Sequence, residues 1–250
     1  MHTNALVKAQ TYSLQQKSNK ARDNSLFSPV SSISNVAQIT LTHPLILASS
    51  SPYRRELLSR LKIPFITIPP NVDETPLPSE PPRALALRLA QTKAQVIAAQ
   101  YPGHIVIGAD QAAALHGEPL GKPGDHTNAQ RQLRALSGQT VIFHSAMCVA
   151  RDQQIHTLDV PTTCVFRTLS EAAIDRYLHI DTPYDTAGSA KAESLGIALM
   201  QSMESADPTS IIGLPLIALT RVLTEFGLDP LEHARLTPPT SFLKNNDVES

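Results

Sequence analysis

Residues 45–55 read Leu-Ile-Leu-Ala-Ser-Ser-Ser-Pro-Tyr-Arg-Arg, an apolar run followed by three serines, a proline and, after Tyr53, two arginines. Leu45, Ile46 and Leu47 have the unbroken apolar character of a strand buried on both faces. Ser49, Ser50 and Ser51 follow with hydroxyls and little bulk, as a tight turn needs. Ser51 suits a helix N-cap, and Pro52 suits the first helical position, where its missing N–H costs nothing and its φ is already helical. Leu57, Leu58 and Leu61 then recur at helical spacing, so one face of Arg54 to Leu61 turns towards a core. Strand, turn and capped helix in this order place the chain among α/β folds. The unpaired N–H groups of the first helical turn, the positive end of the helix dipole and the guanidiniums of Arg54 and Arg55 can converge there on a phosphate-sized anion. An ordinary capped helix with solvated arginines has the same local pattern, and the segment alone does not separate the two.

Composition narrows the function classes. With 250 residues and 42% hydrophobic content the chain can bury a full core. A net charge of -1 and a pI near 6.8 supply no basic field for duplex nucleic acid. Aromatic residues at 4% with no Trp give no base-stacking platform for single strands, so a bound nucleotide is expected to be small. Cys148 and Cys164 are too widely spaced for a metal knuckle and too few for a disulfide framework. Reduced core thiols and a cytoplasmic setting are expected. No apolar run approaches the roughly 18 to 20 residues of a membrane span, so no membrane partner is expected.

Residues 1–40 are Ser-, Asn- and Gln-rich and read as a disordered extension; 41–231 read as the folded domain, and 232–250 as a second loose tail. Within the domain, Ile105 to Gly108 reads as a buried strand. Val141 to Ala150 and Ile155 to Thr168 read as an antiparallel pair around the polar turn Arg151 to Gln154. Helices are expected over Pro82 to Ala99, Asn128 to Ser137, Ser170 to Leu178 and Leu214 to Phe226, with Gly138 and Gly227 as closing residues.

Several residues carry candidate chemistry. In Ile-Val-Ile-Gly-Ala-Asp-Gln, residues 105–111, an apolar strand ends on Asp110, and ligands in open α/β sheets collect at strand carboxyl ends. Asp73 and Glu74 lie in Val-Asp-Glu-Thr-Pro, residues 72–76, where they either solvate a loop or join Asp110 around Mg²⁺. Leu85, Leu89, Lys93 and Val96 fall on nearly one helical line. An amine on that line either snorkels at the core rim or meets an anionic partner. Gly121 to Pro123 and Gly188 to Gly196 add Lys122 and Lys191 in glycine-flanked segments that let backbone approach a ligand. The chain has no G-x-x-x-x-G-K-[ST], no G-x-G-x-x-G and no H-E-x-x-H, which removes the main support for kinase, dinucleotide-dehydrogenase and zincin readings. His104, His116, His126 and His144 stand singly and read as surface or core residues.

In order, S-S-S-P-Y-R-R, V-D-E-T-P, the helix with Lys93, I-G-A-D-Q, G-K-P, A-G-S-A-K-A-E-S-L-G and D-P-T-S-I-I-G-L-P resemble the Maf family of nucleoside triphosphate pyrophosphatases. The resemblance spans about residues 45–231. It implies an α/β fold like that of inosine triphosphate pyrophosphatases, a long mixed sheet in two lobes with a central cleft. It also implies hydrolysis between the α and β phosphates of a nucleotide, with a divalent metal such as Mg or Mn. By the family pattern Asp110 is the proton acceptor. A lone carboxylate is a feeble base at neutral pH, so Asp110 would rely on a metal that acidifies or orients the attacking water. Glu74 matches the metal-side carboxylate, with Asp110 beside it, and Ser50, Arg54, Arg55, Lys93, Lys122 and Lys191 match positions around the triphosphate.

Three positions separate the family's subgroups. The pyrimidine-directed subgroup typically has Arg, Thr and Gln where this chain has Tyr53, Gln111 and Glu193; the 7-methyl-GTP subgroup has Trp, Gln and Glu. The chain matches the second at two positions and is aromatic at the third. N7 methylation makes the purine cationic, and a cation over an aromatic face gains about 0.5 to 2 kcal/mol. Glu193 can accept from the guanine N–H edge. The resemblance therefore implies a 7-methyl-GTP pyrophosphatase that clears a non-standard nucleotide, with a small-molecule nucleoside triphosphate as partner. A dTTP/UTP pyrophosphatase and a division regulator acting by partner binding are the alternatives, and a homodimer is left open.

Overall fold

A computed structural model describes residues 45–234. The expected loose ends, 1–40 and 232–250, lie outside the described residues except for 232–234. The sheet is mixed and seven-stranded. Strand β1 (Leu45–Ala48) runs parallel to β2 (Phe65–Thr67) and β3 (Ile105–Leu115). The rest of the sheet is antiparallel: β4 (Glu118–Leu120) returns on β3, β5 (Thr140–Arg151) pairs with β3, β6 (Gln154–Phe166) with β5, and β7 (Met200–Ser205) with β6. The spatial order is β2-β1-β3-β5-β6-β7, with β4 beside the far end of β3.

Helix α1 (Pro52–Ser59) starts as its sequence requires: Ser51 Oγ accepts the Arg54 N–H at 3.4 Å, and Leu57 and Leu58 are buried. Helix α2 (Pro82–Ala98) matches its expected span. Its buried line runs Leu85, Leu89, Lys93, Ile97, while Val96, near the helix end, is exposed. Helix α3 (His126–Leu136) begins two residues early, since Asp125 is the better cap and accepts the Asn128 N–H at 2.7 Å. Helix α4 (Glu171–Asp181) is capped by Ser170 and runs three residues past Leu178. Helix α5 (Leu216–Glu225) starts after Pro215, and the short α6 (Pro230–His233) continues beyond residue 231.

The strand expected over Ile105 to Gly108 continues to Leu115, so Asp110 lies inside β3 and not at its carboxyl end. Pairing of β3 with β5 holds the alanine-rich second half in extended form, from Asp110 opposite Ala146 to Leu115 opposite Val141. On the other edge, β1 reaches only Gly108 and β4 begins only at Ala113. Residues 109–112 are thereby left without a strand neighbour on that side.

Side chains alternate across β3. Ile105, Ile107 and Ala109 pack with α1 and α5 in one core, and Ala113 belongs to a second core under α3 and α4 on the same face. These are the two lobes, and Gln111 sits at the seam. The opposite face takes α2 against Ala112, Ala146 and Cys148. Gly108 permits this approach: a Cβ there would run into the Ala90 carbonyl oxygen and lie 2.6 Å from the Ala94 nitrogen. Cys148 and Cys164 are free and buried, and burial pushes both thiols up to about 11.

Candidate active site

A cleft of about 530 Å³ opens beside the unpaired stretch of β3. The turn after β1 supplies Ser49 to Ser51, and the first turn of α1 adds Tyr53 and Arg54. Glu74 enters from the β2–α2 connection, Lys93 from α2, Lys122 from the segment after β4, and Glu193 from the segment after α4. Asp110 and Gln111 form the floor. A second hollow of about 660 Å³, near His116 and His144, gathers none of the expected site residues and has no lysine or carboxylate in its lining.

The most buried charged residue lining the cleft is Lys93, whose side chain is 6% exposed. Its Nζ lies 2.6 Å from Asp110 Oδ1 and 2.6 Å from Glu74 Oε1. The amine on the apolar stripe therefore has two anionic partners, which a buried ammonium requires. Asp110 is 11% exposed and Glu74 53%, so the pair joins a floor group to a rim group. Partial burial opposes the charged form of Glu74, but the Lys93 hydrogen bond and the charges of Lys93, Lys122 and Arg54 outweigh it and hold the carboxyl below its usual range. Two carboxylates on one ammonium can exchange that partner for another cation.

The segment presenting Glu74 is clamped from α2. Arg88 donates to both Glu80 carboxylate oxygens at 2.6 and 2.7 Å, and its Nη2 also reaches the Thr75 carbonyl at 3.2 Å. The Arg88 bond holds Glu80 at about 2. Asp73, expected as a metal-ligand alternative, instead closes its own turn by accepting the Thr75 N–H at 2.9 Å, and it does not line the cleft.

Of the two expected anion-binding arginines, only Arg54 lines the cleft. Its Nε donates to the Gly213 carbonyl at 3.0 Å. Burial lowers its pKa while Asp110 and Glu74 pull it back up. Gly213 has φ 109°, and a Cβ there would sit 3.4 Å from Arg54 Nε, so the turn's backbone comes close because it is glycine. Arg55 lies on the exposed side of α1. Lys191 also stays outside the lining; its Nζ is 3.3 Å from Asp185 and 3.4 Å from the Asp181 carbonyl. Asp185, which no local pattern singles out, does line the cleft.

Gln111 is held differently. Its Nε2 donates to Ser145 Oγ at 2.9 Å and to the carbonyls of Ile211 and Ser210 at 3.0 and 3.1 Å, while Ser145 Oγ donates to Ser210 O at 2.6 Å. The amide nitrogen is spent on a junction between β3, β5 and the turn at Ser210–Ile212. Asp207 fixes the far side of that turn by accepting the Thr209, Ile217 and Ala218 N–H groups, which caps α5. On the opposite wall, partial desolvation raises the exposed Glu193 carboxyl above its ordinary range; Lys191 works against this, and Asp181 and Asp185 add to it.

The cleft thus combines three cations, two carboxylates sharing a lysine, and an aromatic–carboxylate pair, on a floor framed by two lobes. The family model for Maf-like proteins matches residues 44–226. The chain belongs to the Maf-like family. It is 65% identical over 187 residues to a 7-methyl-GTP pyrophosphatase of Bordetella pertussis, covering 75% of this chain and 94% of that one. A protein of the same name from Ralstonia nicotianae is 57% identical over 182 residues, covering 72% and 94%, and one from Thiobacillus denitrificans 53% over 196 residues, covering 77% and 98%. A solved structure of the Staphylococcus aureus Ham1 protein aligns at 12% identity with a TM-score of 0.35, over 50% of this chain and 72% of that one, too slight a likeness to carry weight. In this Maf-like protein the motif at residues 207–215 builds the scaffold under Gln111 and Arg54, and does not itself reach in with a charged group.

Among the described residues, no helix is long and apolar enough to cross a membrane.

Proposed function

We propose that this Maf-like protein hydrolyses 7-methyl-GTP to 7-methyl-GMP and diphosphate. The observation that carries the reading is the Lys93 ammonium shared between Asp110 and Glu74, with Arg54 and Lys122 beside it and Tyr53 and Glu193 also facing the cleft. The names of the similar proteins from Bordetella, Ralstonia and Thiobacillus support the same substrate.

Arg54, Lys93 and Lys122 offset the charge of a triphosphate and that which develops on the departing diphosphate. Asp110 accepts the proton of the attacking water. Glu74 and Asp110 are the donors for a divalent cation, and two carboxylates that leave the remaining positions to water and phosphate oxygens suit a hard ion such as Mg²⁺ or Mn²⁺. When bound, such an ion acidifies water and neutralises phosphate charge. Lys93 keeps the two carboxylates paired before substrate arrives and remains beside the scissile region afterwards. Tyr53 offers its face, and Glu193 its charge, to a base made cationic by N7 methylation. The cytoplasm is the proposed compartment, supported by two free buried thiols.

Purified protein with Mg²⁺ and a panel of 7-methyl-GTP, GTP, dTTP and UTP tests the reading through diphosphate release. The highest kcat/KM is expected for 7-methyl-GTP. A preference for dTTP or UTP overturns the substrate, and absence of diphosphate from every triphosphate overturns the reaction.

A further inference from the structure

Away from the cleft residues, the start of α3 meets the outer face of α4. His126 is the first residue of α3, and Asp175 and His179 stand four apart on α4, so their side chains project on the same side. One nitrogen or oxygen from each of the three lies within 4.8 Å of the others. His126 Nε2 is 3.7 Å from Asp175 Oδ1, and His179 Nδ1 is 3.5 Å from the same oxygen. Among the described residues no other group of three His, Cys, Asp or Glu side chains converges in this way. As a sequence, His126 stood alone; its partners come from a different helix.

We propose that His126, Asp175 and His179 form a surface site for a zinc-class divalent ion, separate from the hard-ion donors of the cleft. Two imidazoles and one carboxylate are the donor set such an ion favours, whereas Mg²⁺ prefers oxygen alone. Zinc bonds of about 2.0 to 2.2 Å bring neighbouring ligand atoms to roughly 3.3 Å. The 3.7 Å separation closes with small torsions of partly exposed side chains, while the exposed His179 ring, whose Nδ1 donates to the Asp175 carbonyl at 2.8 Å, turns to offer an unprotonated nitrogen to the ion. The ring of His126 is already oriented by a residue outside the trio: its Nδ1 is 3.1 Å from the Tyr184 hydroxyl, which leaves Nε2 facing Asp175. An outer hydrogen bond of this kind fixes tautomer and ring plane in metal-binding histidines. Three protein ligands leave a fourth position to water.

The location has a consequence. Tyr184 precedes Asp185, which lines the cleft and pairs with Lys191 at 3.3 Å. An ion joining α3 to α4 braces the wall that carries Asp185 and Glu193, so occupancy is expected to raise the melting temperature.

Chelator-stripped full-length protein titrated with ZnCl₂ in a calorimeter tests the site, with a thermal melt on each sample. One equivalent is expected to bind with an accompanying rise in Tm. Affinity for that equivalent should fall more than tenfold in His179→Ala and in Asp175→Asn, and stay unchanged in Asp110→Asn. Asp175→Asn preserves the helix and side-chain size, so it answers the question even if His179→Ala folds poorly. Absence of zinc binding, equal binding by wild type and both trio variants, or loss of the equivalent in Asp110→Asn each overturns the proposal.

Discussion

Asp110 and Gln111 are neighbours on β3, yet the pleat sends them to opposite faces and into opposite circumstances. Asp110 faces α2 and meets one flexible ammonium that it shares with Glu74. Gln111 faces the seam between the lobes and spends its amide nitrogen on three fixed acceptors. The first is a charge whose partner can be exchanged, and the second is a strut. Reactive chemistry needs groups whose interactions change along the reaction, while the frame around them needs interactions that do not. The family pattern treats Gln111 as a marker of substrate preference. Its position here connects that marker to the shape of the cleft floor.

Substitutions on either side should separate the two roles. Lys93→Met is expected to have the largest effect. It leaves Asp110 enclosed without its cation, which costs about 3 kcal/mol of stability in a urea titration, and it abolishes most diphosphate release. Gln111→Leu should cost about 2 kcal/mol by taking the Gln111 donor from the Ile211 carbonyl and breaking the junction with Ser145, with a much smaller loss of kcat than Lys93→Met. Equal losses of kcat in the two variants would erase the distinction between charge and strut. Arg88→Ala frees the segment that presents Glu74. Its half-saturating Mg²⁺ concentration should rise about tenfold with kcat at saturating metal nearly unchanged. Glu193→Gln should change selectivity only. Because partial desolvation holds the Glu193 carboxyl above its ordinary range, its charge develops as pH rises through that raised value. Preference for 7-methyl-GTP over GTP should therefore grow from acidic pH towards neutrality in the wild type and stay flat in Glu193→Gln, as read from paired kcat/KM profiles.

What could be read from the sequence was local. Leu45 to Ser59 declared itself because the strand, the Ser51 cap and the Pro52 start are each set by adjacent residues. Lys93 was legible as an amine on an apolar stripe, though not which carboxylates it would meet. The extension of β3 through Ala112, Ala113 and Ala114 was hidden, since alanine has little strand preference and the pairing comes from β5. Three-residue strands such as β2 and β4 carry too little pattern to register. The Gln111 junction joins residues 34, 99 and 100 positions away, a separation no local periodicity encodes. Arg55 and Lys191 matched by motif, but helix phase turns the first outward, and the second meets the cleft only through its pairing with the lining residue Asp185.

The most direct measurement is diphosphate release by Asp110→Asn with saturating 7-methyl-GTP and Mg²⁺, with the thermal melt recorded on the same preparation. The expected result is a fall in kcat of about 10³-fold with the cooperative unfolding transition retained. Wild-type turnover in a folded Asp110→Asn protein would contradict the assignment of Asp110 as the group that takes the proton.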